Sequence, residues 1–198
     1  MLTKQVLTPA IAGPAGEAGR PHAVLGTLTG RVLEIGAGSG ANFGYFRPDI
    51  HWLGLEPNPR LRRELAATAA AHGQHAPVLA APAERIPLPD ASVDAVAATL
   101  VLCSVADQDR TLAEVRRVLR PGGTFAFVEH VAAPAGTWSR RLQRCAAPFT
   151  RLFDHGCNPA RETWRAIEAA GFGEVRASFY RGLNGRLYNP CLEGTARV

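Results

Sequence analysis

An apolar run that ends in an acid and then breaks into three glycines at alternate positions, Val32-Leu-Glu-Ile-Gly-Ala-Gly-Ser-Gly40, constrains this chain more than any other feature. It reads as a buried strand entering a tight turn against a helix start. Glycines let the backbone approach a ligand closely, and the N–H groups of a helix start are unspent. A second apolar run, His51-Trp-Leu-Gly-Leu-Glu56, closes on an acid about 20 residues beyond Gly36, the separation at which a carboxylate takes both hydroxyls of a ribose. Together the two runs point to an adenosine-containing cofactor.

The glycines alone leave two cofactor classes open, because Gly36, Gly38 and Ala41 also satisfy the dinucleotide pattern. Three features favour S-adenosylmethionine. Glu34 stands just ahead of the turn, where it suits a sulfonium and an ammonium and would repel a pyrophosphate. No arginine or lysine lies in the loop to pair with phosphate. A third feature is Leu119-Arg-Pro-Gly-Gly-Thr-Phe-Ala-Phe-Val-Glu129, which follows the helix-like segment Asp107–Leu119.

With that stretch the chain resembles the class I S-adenosylmethionine-dependent methyltransferases of the type 11 branch. EIGAGSG, LEPN, AERIPLPDASVDAV and EVRRVLRPGGTFAFVEH follow in the family's order and spacing, and the resemblance covers roughly residues 30 to 175. It implies an α/β fold with a Rossmann-like sheet, mostly parallel, closed by an antiparallel C-terminal hairpin and covered by helices on both faces. It also implies a set of cofactor residues. Gly36, Ala37, Gly38 and Gly40 admit the methionine end, Glu34 anchors the ammonium directly or through water, and Asn42 follows the loop in GANF. Glu56 takes the ribose and Pro57-Asn58 lines an adenine face. Many relatives read the adenine edge with an aspartate where this chain has Pro82, so the Ala83 N–H and the Glu84 carboxylate are the expected replacements. Thr99, Leu100 and Cys103 follow a strand, at the sheet edge beside the sulfonium. The structural alternative for each acid is a capped turn or a surface charge.

Strand-like and helix-like segments alternate, which argues a parallel α/β sheet. Strands are expected at Arg31–Gly36, Trp52–Glu56, Pro77–Ala80, Val93–Ala98 and Thr124–His130, with Phe172–Tyr180 and Arg186–Leu192 as the final pair. Helices are expected from Gly40–Phe46, over Pro59–His72, and from the cap Asn158 with Pro159 at its first position to Gly171. Residues 1–29 form an N-terminal arm or lid, and 30–198 the methyltransferase domain. Residues 131–157 exceed what a crossover needs and form a substrate-lid insertion. Within it Trp138, Leu142, Cys145, Phe149 and Leu152 recur at helical spacing, with Arg140, Arg141, Arg144 and Arg151 largely off the stripe and Pro148 expected to kink or break the helix. The stripe suits core packing, a lid, or contact with a membrane surface.

A chain of 198 residues buries a sizeable core as one domain. No apolar run approaches the roughly 18 residues that cross a bilayer, and the start has no basic region followed by an apolar block. The four cysteines, Cys103, Cys145, Cys157 and Cys191, show no C-x-x-C spacing, so no metal is expected and a reducing cytoplasm fits. The net charge of +5 comes from scattered arginines without interleaved aromatics, which argues against nucleic acid as a partner. Oligomeric state stays open.

Methyl transfer needs nucleophile, methyl carbon and sulfonium in line, with water excluded. A hydroxyl needs a base, whereas a thiol is already a few per cent thiolate near neutral pH. The sheet edge is poor in bases. His130 at a strand end and Asp154 with His155 are the candidates, and Cys103 reads as a small buried residue. ATLVLCSV, FVEHVAAPAGTW, GCNPARETWRAIEAAGF and EPNP resemble the methyltransferase-like seven alkyl-thiol S-methyltransferases. That resemblance implies a small-molecule thiol acceptor, in detoxification or natural-product tailoring. Those animal enzymes carry an N-terminal membrane anchor that is not evident here, so a cytoplasmic relative is expected. An O- or C-methyltransferase of a phenol, quinol or polyketide-like acceptor is the alternative, and a SAM-binding protein without turnover a third reading.

Overall fold

The computed structural model describes residues 22–153, 156–181 and 190–198. Six strands form one sheet in the order β2-β1-β3-β4-β6-β5. β1 (Arg31–Ile35) pairs in parallel with β2 (His51–Leu55) on one side and β3 (Val93–Thr99) on the other, and β3 pairs in parallel with β4 (Leu119–His130). β6 (Pro190–Arg197) inserts antiparallel between β4 and β5 (Glu174–Arg181). The chain therefore leaves β1 in one direction and returns on its other side as β3. Such a reversal opens a crevice at the carboxyl ends of β1 and β3.

Parallel strands covered on both faces read as continuous apolar runs, and the alternation along β1 sorts two cores. Leu33 and Ile35 pack with Val96, Phe125 and Phe127 beneath α2 (Gln108–Val118) and α4 (Thr163–Ala169), through Leu112, Val115 and Ile167. Val32 packs with Trp52, Ala95 and Ala97 against Leu65 and Ala69 of α1 (Pro59–Ala71). Asn58 caps α1, accepting from the Arg60 and Leu61 N–H groups with Pro59 at the first position, and Asp107 caps α2 by accepting from the Arg110 N–H.

Several expectations are corrected. The stretch Gly40–Phe46 makes turns and no helix, because Asn42 spends its amide on Glu34 and Gly44 follows it. Pro77–Ala80 contributes one bridge, Leu55 to Leu79, and no full strand. Asn158 caps a turn, accepting from the Ala160 N–H, and the helix starts later, at Thr163. The cause is Arg161, whose guanidinium reaches back to the Leu102 and Val105 carbonyls and holds the chain off the helical path. The last strand runs over Pro190–Arg197; the expected start at 186–189, like arm residues 1–21, Asp154 and His155, lies outside the described residues. Within 22–29 a 3-10 turn over Ala23–Thr27 buries Leu25, and Leu28 is buried beside it against the β1 and β2 side of the core.

The insertion holds the largest surprise. α3 (Trp138–Phe153) runs through Pro148 unbroken, since that proline sits on the outer face where water takes the carbonyl it leaves. The helix does not pack its apolar stripe inward. Trp138, Phe149 and Leu152 are 75%, 67% and 75% exposed. It docks instead through buried polar groups. Gln143 accepts from the Ala133 N–H and donates to the Val131 carbonyl, while Arg140 donates to the Ala133 carbonyl and to Glu162. A stretch leaving a sheet edge carries unpaired backbone groups, and these side chains satisfy them.

Candidate functional site

The turn after β1 lies at the mouth of the crevice. Gly36 has φ +59°, and a Cβ there would stand 2.6 Å from a Val101 methyl, so only glycine lets the turn pass beneath the loop after β3. Gly38 also has a positive φ, +57°, but its Cβ direction meets no atom within 4 Å. It points into open crevice. Glu56, at the end of β2, is buried against this turn, accepting from the Gly38 N–H at 3.0 Å and the Asn58 N–H at 2.8 Å. The turn after β1 and the end of β2 thus meet directly. Pro57 and Asn58 follow at once, with the Asn58 side chain committed to capping α1.

Glu34 is buried with both oxygens engaged, accepting from the Asn42 amide at 2.7 Å and the Trp52 indole N–H at 2.8 Å. The expected anchor is therefore first a strut. It ties the turn, through Asn42, to β2 through Trp52. Burial outweighs these two donors and pushes Glu34 up to about 7.

The loop after β3 is held by an acid that motif reading passed over. Glu129, fully buried in β4, accepts from the N–H groups of Val101 and Leu102 at 2.9 Å each and of Cys103 at 3.3 Å. A lone acid directly after the apolar run Phe125–Val128 and still within the strand was the available signal, since a buried carboxylate demands donors. Leu100 just ahead takes φ +58°, an uncommon state for a leucine, and is exposed at the edge. The Thr99 hydroxyl is buried with no partner. Burial likewise pushes Glu129 up to about 7, against the three N–H groups.

These two raised acids make a prediction. Both bind a proton in the fold at pH values where the unfolded chain, with ordinary values near 4.5, has lost it. Stability must fall as pH rises from about 4.5 to about 7 as these two acids lose their protons, and the raised His130 continues the fall beyond pH 7. Thermal melts of cofactor-free protein check this; a midpoint climbing steadily across that window contradicts it.

Glu84, expected at the adenine edge, engages one of its carboxylate oxygens within the protein. One oxygen accepts from the Ala106 N–H at 2.8 Å and the Asp107 N–H at 3.3 Å, and its carbonyl accepts from Arg110, so it fastens its loop to the start of α2. Ala83 is buried beside it.

His130 ends β4, half-buried, in a nest of sulfur. Its Nδ1 lies 3.8 Å from the Cys157 sulfur, which lies 3.6 Å from the Cys103 sulfur, and Cys191 stands opposite it on β6. Cys157 beside it and burial push the Cys103 thiol up, so it is no ready nucleophile. Burial would lower His130, but the Cys103 and Cys191 sulfurs outweigh it and push the ring up to about 10. Cys157 and Cys191 stand far from His130 in the sequence, and their spacing gave no sign that they meet it. The structure thus gathers Gly36, Gly38 and Glu56 on one side of the crevice and Thr99, Leu100, Cys103 and His130 on the other.

Comparison with known proteins fits this arrangement. The chain matches the methyltransferase domain family over residues 33–127. It is 41% identical over 169 residues to the thiol S-methyltransferase TMT1A of Homo sapiens, covering 83% of this chain and 69% of that one. The chain belongs to the thiol S-methyltransferase family. A second human member, TMT1B, is 43% identical over 148 residues, spanning 73% of the methyltransferase and 61% of the relative. Among solved structures, the [4+2]-cyclase SpnF superposes with a TM-score of 0.69 at 21% identity, over 89% of this chain and 77% of that one. That likeness speaks for the fold alone. The methyltransferase's cofactor is S-adenosylmethionine, and the crevice fits it. A partnerless buried hydroxyl on Thr99 and open space ahead of Gly38 are what a polar ligand laid across the edge would use. No helix among the described residues is long and apolar enough to cross a membrane.

Proposed function

We propose that the protein transfers the methyl group of S-adenosylmethionine to the sulfur of a small-molecule thiol. The observation that carries this reading is how the acids at the edge are spent. Glu34, Glu56, Glu84 and Glu129 each accept from donors of the protein itself. Carboxylates so engaged are poor general bases, and a thiol hardly needs one. Similarity to the human thiol S-methyltransferases supports the same acceptor class.

In this reading S-adenosylmethionine supplies an electrophilic methyl carbon on a sulfonium. The chain's part is to bind, orient and exclude water. Gly36, Ala37, Gly38 and Gly40 give room and N–H groups to the methionine end, with Asn42 and Glu34 bracing that turn. Glu56 keeps lone pairs for the ribose hydroxyls. Pro57 and Asn58 line adenine with their backbone, and Ala83 takes over its edge from Glu84, whose carboxylate is spent. Thr99 and Leu100 face the reacting centre, and His130 orients the acceptor. Asp154, the other expected base, lies outside the described residues.

The test is product analysis by mass spectrometry after incubation with methyl-labelled S-adenosylmethionine and a panel of small thiols paired with their hydroxyl analogues. Label is expected on sulfur, with the hydroxyl partners untouched. Label on oxygen or carbon overturns the acceptor and leaves the cofactor standing.

A further inference from the structure

We propose that Cys103, His130 and Cys157 form a three-ligand site for Zn2+ whose fourth position receives the acceptor sulfur. The fourth position rests on the thiol-transfer reading; the three protein ligands do not. Their ligand atoms lie within 4.8 Å of one another, with Cys157 Sγ to Cys103 Sγ at 3.6 Å and Cys157 Sγ to His130 Nδ1 at 3.8 Å. Tetrahedral zinc with bonds of about 2.3 Å to sulfur and 2.0–2.1 Å to nitrogen holds neighbouring ligand atoms about 3.6–3.8 Å apart. Two edges of the cluster therefore already have the lengths of such a site, and the third, from Cys103 Sγ to the His130 ring, lies within 4.8 Å. Two sulfurs and an imidazole without a carboxylate select a zinc-type cation over calcium or magnesium.

The scaffold holds these groups together by bonds that no metal supplies. Cys103 donates its N–H to Glu129. Asn158, next to Cys157, donates its N–H to the Cys103 carbonyl at 2.9 Å. His130 is fixed by the β4–β6 ladder. The three ligands come from the loop after β3, the end of β4 and the segment before α4, which is why no short cysteine spacing announced them. Three protein ligands with one position left over is the plan of a catalytic zinc site, whereas structural sites are closed by four.

The chemistry balances. Uptake of the cation releases the protons of the coordinating groups to solvent and leaves a neutral unit of two thiolates, one imidazole and Zn2+. An acceptor thiol coordinates as thiolate, losing its proton to solvent, and the unit becomes anionic beside a cationic sulfonium. A sulfur lone pair forms the new bond to the methyl carbon as the bond from that carbon to the sulfonium sulfur breaks. The neutral thioether is a weak ligand and departs. A cation in this place would do what the engaged carboxylates cannot: make a nucleophile at neutral pH.

The experiment titrates reduced, chelator-stripped full chain with Co2+ as a spectroscopic stand-in. The expected result is a thiolate-to-cobalt charge-transfer band with intense four-coordinate d–d bands, saturating at one equivalent and bleached by Zn2+. Cys157→Ser should weaken the metal by more than about 100-fold, beyond what loss of an outer-shell partner costs, while Cys145→Ser on α3 should change nothing. His130→Cys keeps three ligands and should strengthen the charge-transfer band, a gain that misfolding cannot imitate. A small thiol should shift the cobalt spectrum, and its alcohol analogue should not. Absence of the charge-transfer band, its persistence undiminished in Cys157→Ser, or a Cys103–Cys157 disulfide in place of metal uptake overturns the site. If sulfur methylation runs unchanged in stripped protein that shows no cobalt band, the metal site falls and the thiol reading survives. If cobalt binds through the thiolates and added thiol leaves its spectrum unmoved, the proposed fourth position falls.

Discussion

Glu129→Ala is expected to cost the cofactor-free protein at least about 3 kcal/mol, because three buried N–H groups lose their acceptor at about 1–3 kcal/mol apiece. Those donors belong to Val101, Leu102 and Cys103, and no other acceptor among the described residues is bonded to them. For a chain of this size the loss should lower the thermal midpoint by about 10 °C, at about 2–4 °C per kcal/mol. Glu129→Gln keeps one oxygen for the Val101 and Leu102 pair but turns an NH2 toward Cys103, so it should recover part of the loss. A drop of only a degree or two in the alanine variant would show that the loop after β3 holds itself. The acid is thus structural in the first instance. Function depends on it because the loop it clamps carries the acceptor edge.

Gly36→Ala should abolish cofactor binding by a different route. The left-handed backbone costs a non-glycine residue about 1–2 kcal/mol, and a methyl at 2.6 Å from Val101 adds an overpacking cost of about 1–3 kcal/mol. The turn after β1 and the loop after β3 would be driven apart, and both walls of the crevice with them. Gly38→Ala is the informative companion. Its Cβ has open space, so the fold should tolerate it at about 1 kcal/mol of backbone cost, yet the added methyl stands where ligand should lie. Calorimetric titration with S-adenosylmethionine beside thermal melts separates the two. Gly36→Ala loses stability and binding together, whereas Gly38→Ala loses binding with the fold kept. Equal melting behaviour of the two variants would contradict the different roles given to these glycines.

The sheet was legible because its signals are local. Apolar runs located β1, β2, β3 and β4, an alanine- and arginine-rich stretch located α1, and a helix-like stretch ahead of the second glycine motif located α2. The start of α4 was misplaced because Asn158 looks like a helix cap in sequence, and only the reach of Arg161 across to the loop after β3 shows why it caps a turn. α3 was legible as amphipathic, but of the three roles open to its apolar stripe the sequence could not choose. Periodicity reports that a stripe exists, not which side of the helix faces the protein, and here unpaired carbonyls and N–H groups of residues 131–133 drew the polar side inward. The direct bond from the Gly38 N–H to Glu56 was not foreseen, because the sequence shows only that both stand at strand ends and not that the turn folds back onto the acid. Nor were Glu129 and the sulfur cluster, since their partners lie 26 to 54 residues away and meet only through the sheet.

The crevice is a cofactor site only if S-adenosylmethionine lies against the glycine turn and Glu56. Isothermal titration of S-adenosylmethionine into the wild-type protein and into Glu56→Ala tests that directly. The variant should melt close to wild type, since the two N–H groups it strands lie next to the open crevice and water, and it should bind more than about tenfold more weakly, a loss of at least about 1.4 kcal/mol. Unchanged affinity in a folded Glu56→Ala protein would mean that the ribose lies elsewhere and that the crevice has been assigned to the wrong ligand.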